Sequence, residues 1–264
     1  ICRNGWLMVK DEDGNDKKIR INRIHMEEDA GKLVHSGSNI SDSSYSLPDY
    51  NRAAVPLIEI VTEPDMSSAE EAKNFGETLR LMLAYADISD VKMEQGSLRC
   101  DVNISIRPQG QDELGVKVEI KNLNSFRAVY RAIVYEEMRQ KSLIDNGIPI
   151  VQETRLWDDA AGETRPMRSK EDAHDYRYFP EPDLPPIIID DQWMAEIAAS
   201  MPEMPDAKRK RLTEELGLSD YDAGQLIANP PLAHFFDALY AEYPEAKIAA
   251  NWILGDIAKL MNST

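Results

Sequence analysis

The sequence predicts an α+β protein in which an antiparallel-sheet part precedes an all-helical part, and three observations carry that prediction. Residues 100–107 (CDVNISIR) and 116–121 (VKVEIK) alternate apolar and polar side chains with the period of two that a half-buried strand requires. The polar stretch PQGQDELG, 108–115, joins them, which makes an antiparallel hairpin. After residue 188 the alternation stops, and short helical patterns follow, separated by Pro202, Pro205, Gly217, Pro230–Pro231 and Pro244. The boundary is therefore expected near 188, with residues 1–188 as one domain and 189–264 as another. A chain of 264 residues is long enough for two such domains.

Residues 1–60 read as strands and turns. Trp6–Val9 is apolar, Lys10–Lys17 is a polar turn centred on Gly14, and Ile19, Ile21 and Ile24 lead into RIHMEEDAGK, 23–32. The Ser-rich stretch 35–49 is expected to be a loop. AAVPLIEIV, 53–61, predicts a strand because its β-branched residues and Pro56 disfavour a helix. A helix should follow, opened by a capping box of Ser68 with Glu71 and continued by Ala72, Phe75, Leu79, Met82 and Leu83. In the hairpin, Val102, Ile104, Ile106, Val116, Val118 and Ile120 face one core. Asp101 and Glu119 share the polar face, opposite or diagonal to each other according to a register that the pattern leaves open.

Asn124 and Ser125 predict the cap of a helix running through Phe126, Val129, Tyr130, Ile133, Tyr135 and Met138 to Gly147. Residues 149–157 and 164–168 predict a second hairpin around Asp158–Glu163, and HDYRYFPEPDLPP, 174–186, an irregular connection. The last helix should bury Ile248, Trp252, Ile253, Ile257 and Leu260, so its Met and aromatic positions read as core.

Composition narrows the function classes. No apolar run approaches a membrane span, and Cys2 and Cys100 make no disulfide framework, so a cytoplasmic, reducing setting is expected. A net charge of −17 argues against nonspecific nucleic-acid binding by the whole surface, while leaving a local basic face open. Ile1 opens the chain without a methionine, in what reads as mid-sheet sequence, and an amphipathic helix runs directly into Thr264; both ends suggest a fragment. There is no Walker-type loop, GxGxxG, CxxC pair or GxSxG elbow. KRKR, 208–211, reads as a solvated, salt-bridged helix face because Glu214 and Glu215 follow one turn on.

A polar sheet face bearing Asp101, Glu119 and Glu28 could hold a hard cation through oxygen ligands. Arg99, Arg107, Lys117 and Lys121 alternate with these acids and could take phosphates. A cation beside basic side chains is the equipment of ATP-dependent phosphoryl transfer. On pattern alone, a solvated face of alternating charge accounts for these residues better, and His25 by itself reads as a structural or surface histidine.

Six stretches add to this: HMEEDAGK, DYNRAAVPLIEIVTEPD, MEQGSLRCDVNISIRP, EIKNLNSFR, QETRLWD and DYRYFPEPDLPP. In this order, over nearly the whole chain, they resemble the B-subunit family of the aspartyl/glutamyl-tRNA(Asn/Gln) amidotransferases. The resemblance implies a glutamine synthetase-like antiparallel-sheet cradle followed by a helical domain. It implies work with an amidase-type A subunit, which frees ammonia from glutamine, and a small C subunit. The family's B subunit would use ATP and Mg2+ to phosphorylate the side-chain carboxylate of misacylated Glu-tRNA(Gln) or Asp-tRNA(Asn), and ammonia would then displace the phosphate.

On that basis Glu28 is the first metal-ligand candidate with Glu27 beside it, and Asp101 and Glu119 come next. Lys121 joins Glu28, Asp101 and Glu119 as a catalytic candidate. Arg99, Asn103 and Lys121 would contact phosphates or the acyl group, and Asn122, Asn124 and Ser125 would offer a helix start to an anion. Arg155, Arg168, Lys170 and Arg177 are further candidates for ATP or the tRNA acceptor end. The family's N-terminal Gly-Leu-Glu-x-His strand and its tail domain are missing from this sequence, so the chain alone is not expected to catalyse the reaction. Gln95 replaces a second Glu usual after Met-Glu, and Glu94 remains. A noncatalytic tRNA-binding scaffold is the competing class; a stand-alone carboxylate–amine ligase is disfavoured by the named motifs.

Overall fold

The computed structural model describes residues 2–36, 44–167 and 185–261, and the chain divides into two compact units, Ile1–Phe75 and Gly76–Thr264. The architecture is α+β, with antiparallel and mixed sheets and several helices.

In the first unit, β1 (Cys2–Lys10), β2 (Asp16–Glu28) and β5 (Pro56–Thr62) form an antiparallel sheet in the order β1-β2-β5. The turn before β2 is closed by Asp11, whose Oδ1 accepts from the N–H of Asp13 at 3.0 Å and of Asn15 at 2.8 Å. Leu7 and Val9 of β1 and Ile19 and Ile21 of β2 are buried, as period-two alternation requires. A two-stranded ladder joins β3 (Lys32–His35) to β4 (Ser46–Asp49). The Ser-rich stretch expected to be a loop over 35–49 thus ends in a strand. Strand pairing decides here over composition, and Ser36 Oγ helps by accepting from the N–H of Ser44 and Tyr45.

Helix α1 (Ala69–Tyr85) opens with Ser68 Oγ accepting from Glu71 N–H at 3.2 Å. The Glu71 carboxylate reaches Ser67 N–H at 2.7 Å, one residue before its capping-box partner, because Lys17 Nζ also holds it, at 2.7 and 2.8 Å.

The second unit holds a four-stranded sheet of β6 (Cys100–Ile104), β7 (Val118–Leu123), β8 (Glu153–Asp158) and β9 (Glu163–Pro166), in that order. The two expected hairpins, β6/β7 and β8/β9, are present and antiparallel. Each is shorter than the alternation suggests. Val116 is exposed and outside the ladder, since the two arms approach too closely there for regular pairing: a Cβ on Gly115 would stand 2.1 Å from the Ile106 carbonyl oxygen. The hairpins join edge to edge, β7 running parallel to β8, with Glu119 opposite Thr154 and Ile120 opposite Arg155. Helix α2 (Phe126–Asp145) is the crossover that parallel neighbours need. Its N-cap is Ser125, whose Oγ accepts from Ala128 N–H at 3.1 Å. Val118, Ile120, Val129, Ala132 and Trp157 are buried between sheet and helix.

The helical part runs α3 (Asp191–Ser200), α4 (Pro205–Lys210), α5 (Asp220–Ile227), α6 (Pro230–Glu242), α7 (Ala246–Trp252) and α8 (Ala258–Met261). Proline stands at the first turn of α4 and α6, where its missing N–H costs nothing. A core of Leu212, Leu226, Ile227, Phe236 and Ile253 includes Tyr85 from the end of α1, whose hydroxyl donates to the Ile227 carbonyl at 3.2 Å. Trp252, Ile248 and Leu260, expected inside, are exposed instead. The buried stripe is Ala249, Ala250 and Ile253, and the Trp252 ring lies off it. The basic run is salt-bridged as expected, mainly to other partners: Lys208 is buried and pairs with Glu203 and Asp237, Arg211 with the same two, and Arg209 with Asp220. Among the described residues no helix is long and apolar enough to cross a membrane.

Candidate functional site

Strand pairing sorts the acids of RIHMEEDAGK into three roles. His25 on β2 stands opposite Glu59 on β5, and Glu27, two residues on, shares their face. His25 Nε2 lies 3.0 Å from Glu27 Oε1 and 3.5 Å from Glu59 Oε2. One donor atom from each of the three residues lies within 4.8 Å of the other two. Glu28 alternates to the opposite face, opposite Pro56. Asp29 is buried and builds the strand end: its Oδ1 accepts from Gly31 N–H at 2.8 Å, and its N–H donates to the Val55 carbonyl.

One imidazole nitrogen and two carboxylate oxygens suit a divalent cation that completes its shell with water or phosphate oxygens. His25 is half-buried, and the two glutamates are accessible enough to admit a ligand. The group therefore fits the metal that the sequence motifs imply. Glu59 is not among the sequence candidates. Its signal is the alternation of PLIEIVT, which becomes readable only with the β2–β5 register.

The second group lies on the polar face of the mixed sheet. The register sets Asn103 opposite Glu119 and leaves Asp101 at an irregularity between Cys100 and Val102, diagonal to Glu119. Lys121 Nζ sits between the two acids, 2.6 Å from Asp101 Oδ2 and 3.0 Å from Glu119 Oε1. Burial alone would pull the Lys121 ammonium down, but its hydrogen bonds to Asp101 and Glu119 outweigh that and raise it above its ordinary value. Thr154 Oγ1 donates to Glu119 Oε2 at 2.8 Å, so both oxygens of that carboxylate are engaged. Thr154 too is absent from the sequence candidates, because only the parallel β7–β8 pairing brings it there. The ammonium takes the space between the carboxylates, and Asp101 and Glu119 could share a metal only by releasing it.

The remaining candidates are placed as follows. Arg99 is exposed just before β6. Asn122 has φ 68° and donates from Nδ2 to the Trp157 carbonyl at 3.0 Å, turning its amide along the sheet. Asn124 is exposed beside the cap that Ser125 supplies. Arg155 is buried, and its guanidinium donates to Thr164 Oγ1, to the Thr164 carbonyl and to Glu153, each at 2.7 Å. Glu136, fully buried on α2, accepts from Arg139 and Thr164 in the same network. Burial pushes the Cys100 thiol up to about 11, which removes it as a nucleophile at neutral pH. Arg168, Lys170, Arg177 and most of the 174–186 connection lie outside the described residues.

Residues 1–195 match the family described as the GatB/GatE catalytic domain. The chain is similar, at 51% identity over its whole length, to the B subunit of the aspartyl/glutamyl-tRNA(Asn/Gln) amidotransferase of Carboxydothermus hydrogenoformans, of which it covers 54%. Proteins of the same description from Thermoanaerobacter sp. strain X514 and Synechococcus sp. are 53% and 52% identical, again over 100% of this chain and 54% of theirs. The chain thus spans about half the length of these curated relatives.

Proposed function

Because the chain belongs to the GatB/GatE catalytic-domain family, we propose that it is the cradle and following helical part of an amidotransferase B subunit. In this reading residues 1–188 form a glutamine synthetase-like catalytic domain and 189–264 a helical domain. They act within a cytoplasmic heterotrimer with an amidase-type A subunit and a small C subunit. The observation that supports it most is the His25–Glu27–Glu59 group, a cation-competent donor set on an antiparallel sheet of a tRNA-dependent amidotransferase family.

The chemistry explains the need for such a group. Hydroxide is a poor leaving group, so the side-chain carboxylate of misacylated Glu-tRNA(Gln) or Asp-tRNA(Asn) cannot be aminated directly. A carboxylate oxygen attacks the terminal phosphorus of ATP and ADP departs. Ammonia, freed from glutamine by the A subunit, then attacks the acyl carbon and inorganic phosphate leaves. A Mg2+ ion held by His25, Glu27 and Glu59 would neutralise phosphate charge. Lys121 keeps a positive charge on the polar face, anchored by Asp101 and Glu119. Thr154 holds the Glu119 carboxylate toward that ammonium.

The test uses the full-length heterotrimer and misacylated tRNA. Wild-type enzyme should hydrolyse ATP only with the misacylated tRNA present, and the Glu27→Gln, Glu59→Gln double variant should lose that activity while keeping tRNA affinity. Unchanged tRNA-dependent ATP turnover in the double variant would overturn the site. Absence of any ATP turnover in the wild-type complex, with tRNA still bound, would instead favour a scaffold role.

A further inference from the structure

We propose that Arg3 and Arg23 form a polyphosphate-binding subsite beside the His25–Glu27–Glu59 group, taking the phosphates of the nucleotide whose cation that group holds. The inference rests on the reading above and goes beyond it in naming the anion ligands. Arg3 on β1 and Arg23 on β2 are direct cross-strand partners. Their Cβ atoms therefore stand about 5 Å apart on one face of the sheet, a placement in which like charges repel. From Arg23 onward β2 pairs regularly with β5, the one register shift lying between Ile21 and Arg23. Arg23, His25 and Glu27 consequently alternate onto the same face, at steps of about 7 Å.

The charge environment makes this pair unusual. The chain carries 47 acidic against 30 basic residues. Other arginines of the first unit find carboxylates: Arg20 pairs with Asp65 at 2.6 Å and Arg52 with Asp29 at 3.7 Å. Among the described residues Arg3 and Arg23 form no ion pair, and the hydrogen bond in which Arg23 engages is to the neutral Asn22 Oδ1, at 3.3 Å. Two exposed guanidinium forks, opposed and without an acid between them, are suited to oxygens of a doubly charged anion. Glu27 and Glu59 next to them would repel a bare phosphate chain, and a divalent cation reverses that sign. A compact polyphosphate–cation complex satisfies both halves of the face at once. A polynucleotide backbone would require an extended basic surface, which these flanking acids interrupt.

The experiment is titration calorimetry on the full-length heterotrimer. Ligands are Mg2+ alone, Mg2+ with inorganic tripolyphosphate, Mg2+ with ATP, adenosine, and tRNA. The proteins are wild type, the Arg3→Ala, Arg23→Ala double variant, and Arg23→Lys. The double variant should bind tripolyphosphate and ATP about ten- to hundredfold more weakly, the loss expected for charge-assisted contacts. Arg23→Lys should fall between, keeping charge without the fork. Affinity for Mg2+ alone should not change, and the unfolding temperature should hold or rise as the repulsion is relieved. ATP and tripolyphosphate binding equal to wild type in the double variant overturns the inference and leaves the proposed function standing. Weakened tRNA binding with intact ATP binding overturns it as well. Failure of the wild-type complex to bind Mg2+ with ATP removes the proposed function, and the inference with it.

Discussion

Glu27 and Glu28 are adjacent in the chain, yet β2 turns them to opposite faces, and substitutions should separate them. Glu27→Gln and Glu59→Gln are expected to weaken Mg2+ or Mn2+ binding by about tenfold or more, on the scale of lost metal-site partners. Glu28→Gln should leave it nearly unchanged, a contrast that calorimetry on the assembled complex reads directly. Equal losses at both positions would sink the face assignment. The sequence alone names the acidic cluster but not which acid matters, because that choice depends on a strand partner far along the chain. Glu203 tests electrostatics of another kind. Hydrogen bonds from Arg211 and Lys208 hold its carboxyl at about 2, against an ordinary 4.5. A depressed carboxyl stabilises the fold above its unfolded value and loses that contribution as pH falls toward the folded one. Wild type should therefore exceed Glu203→Gln by about 1 kcal/mol at pH 7, after allowance for solvent screening, and the gap should close between about pH 4.5 and 2. Thermal unfolding across that range measures it.

Helix α2 ties local sequence to the sheet, with Ala128, Val129, Ala132 and Ile133 buried along it. Its start is legible: Ser125 caps it as the sequence predicts, and Ser125→Ala should cost about 1 kcal/mol. Its use as a crossover is not legible, since alternation reports which side of a strand is buried and says nothing of which strand lies beside it. The signs of that arrangement are polar and buried. Glu136 of α2 has no exposed surface and meets Arg139 and Thr164, with Arg155 of β8 at 3.7 Å. Glu136→Ala removes the fully buried carboxylate of this network, leaving Arg139 and Arg155 to share Glu153, and should cost about 3 kcal/mol, several times the loss at the cap. Denaturant midpoints of the two variants give the ratio. Arg155 is a sequence candidate for ATP or the acceptor end; its place in this network comes from the β8–β9 pairing and from α2, which bring Thr164 and Glu136 to it.

At the scale of the whole molecule, the α+β class and the helical character of the last third follow from periodicity, and each expected hairpin forms. Two things escape it: the merging of hairpins into one mixed sheet, and the facing of the last helix, where two alanines rather than Trp252 lie against the core. Both depend on contacts distant in sequence, where packing overrides residue type.

The parallel seam between β7 and β8 also has a consequence for biosynthesis. The β6/β7 hairpin can close as soon as the ribosome has released Leu123, whereas β8 follows only after the whole of α2. Until then the backbone edge of β7 is open, with Val118 and Ile120 still to be fully covered, and an open apolar edge invites other nascent chains. Glu119 and Lys121 alternate with those two residues on the same strand, and charges at an open edge discourage such pairing. Pulse-labelled hydrogen exchange during refolding should show β6 and β7 amides protected before those of β8 and β9, in keeping with the slower closure of distant contacts. Neutralising both charges should then raise aggregation of the newborn chain before it alters the finished fold.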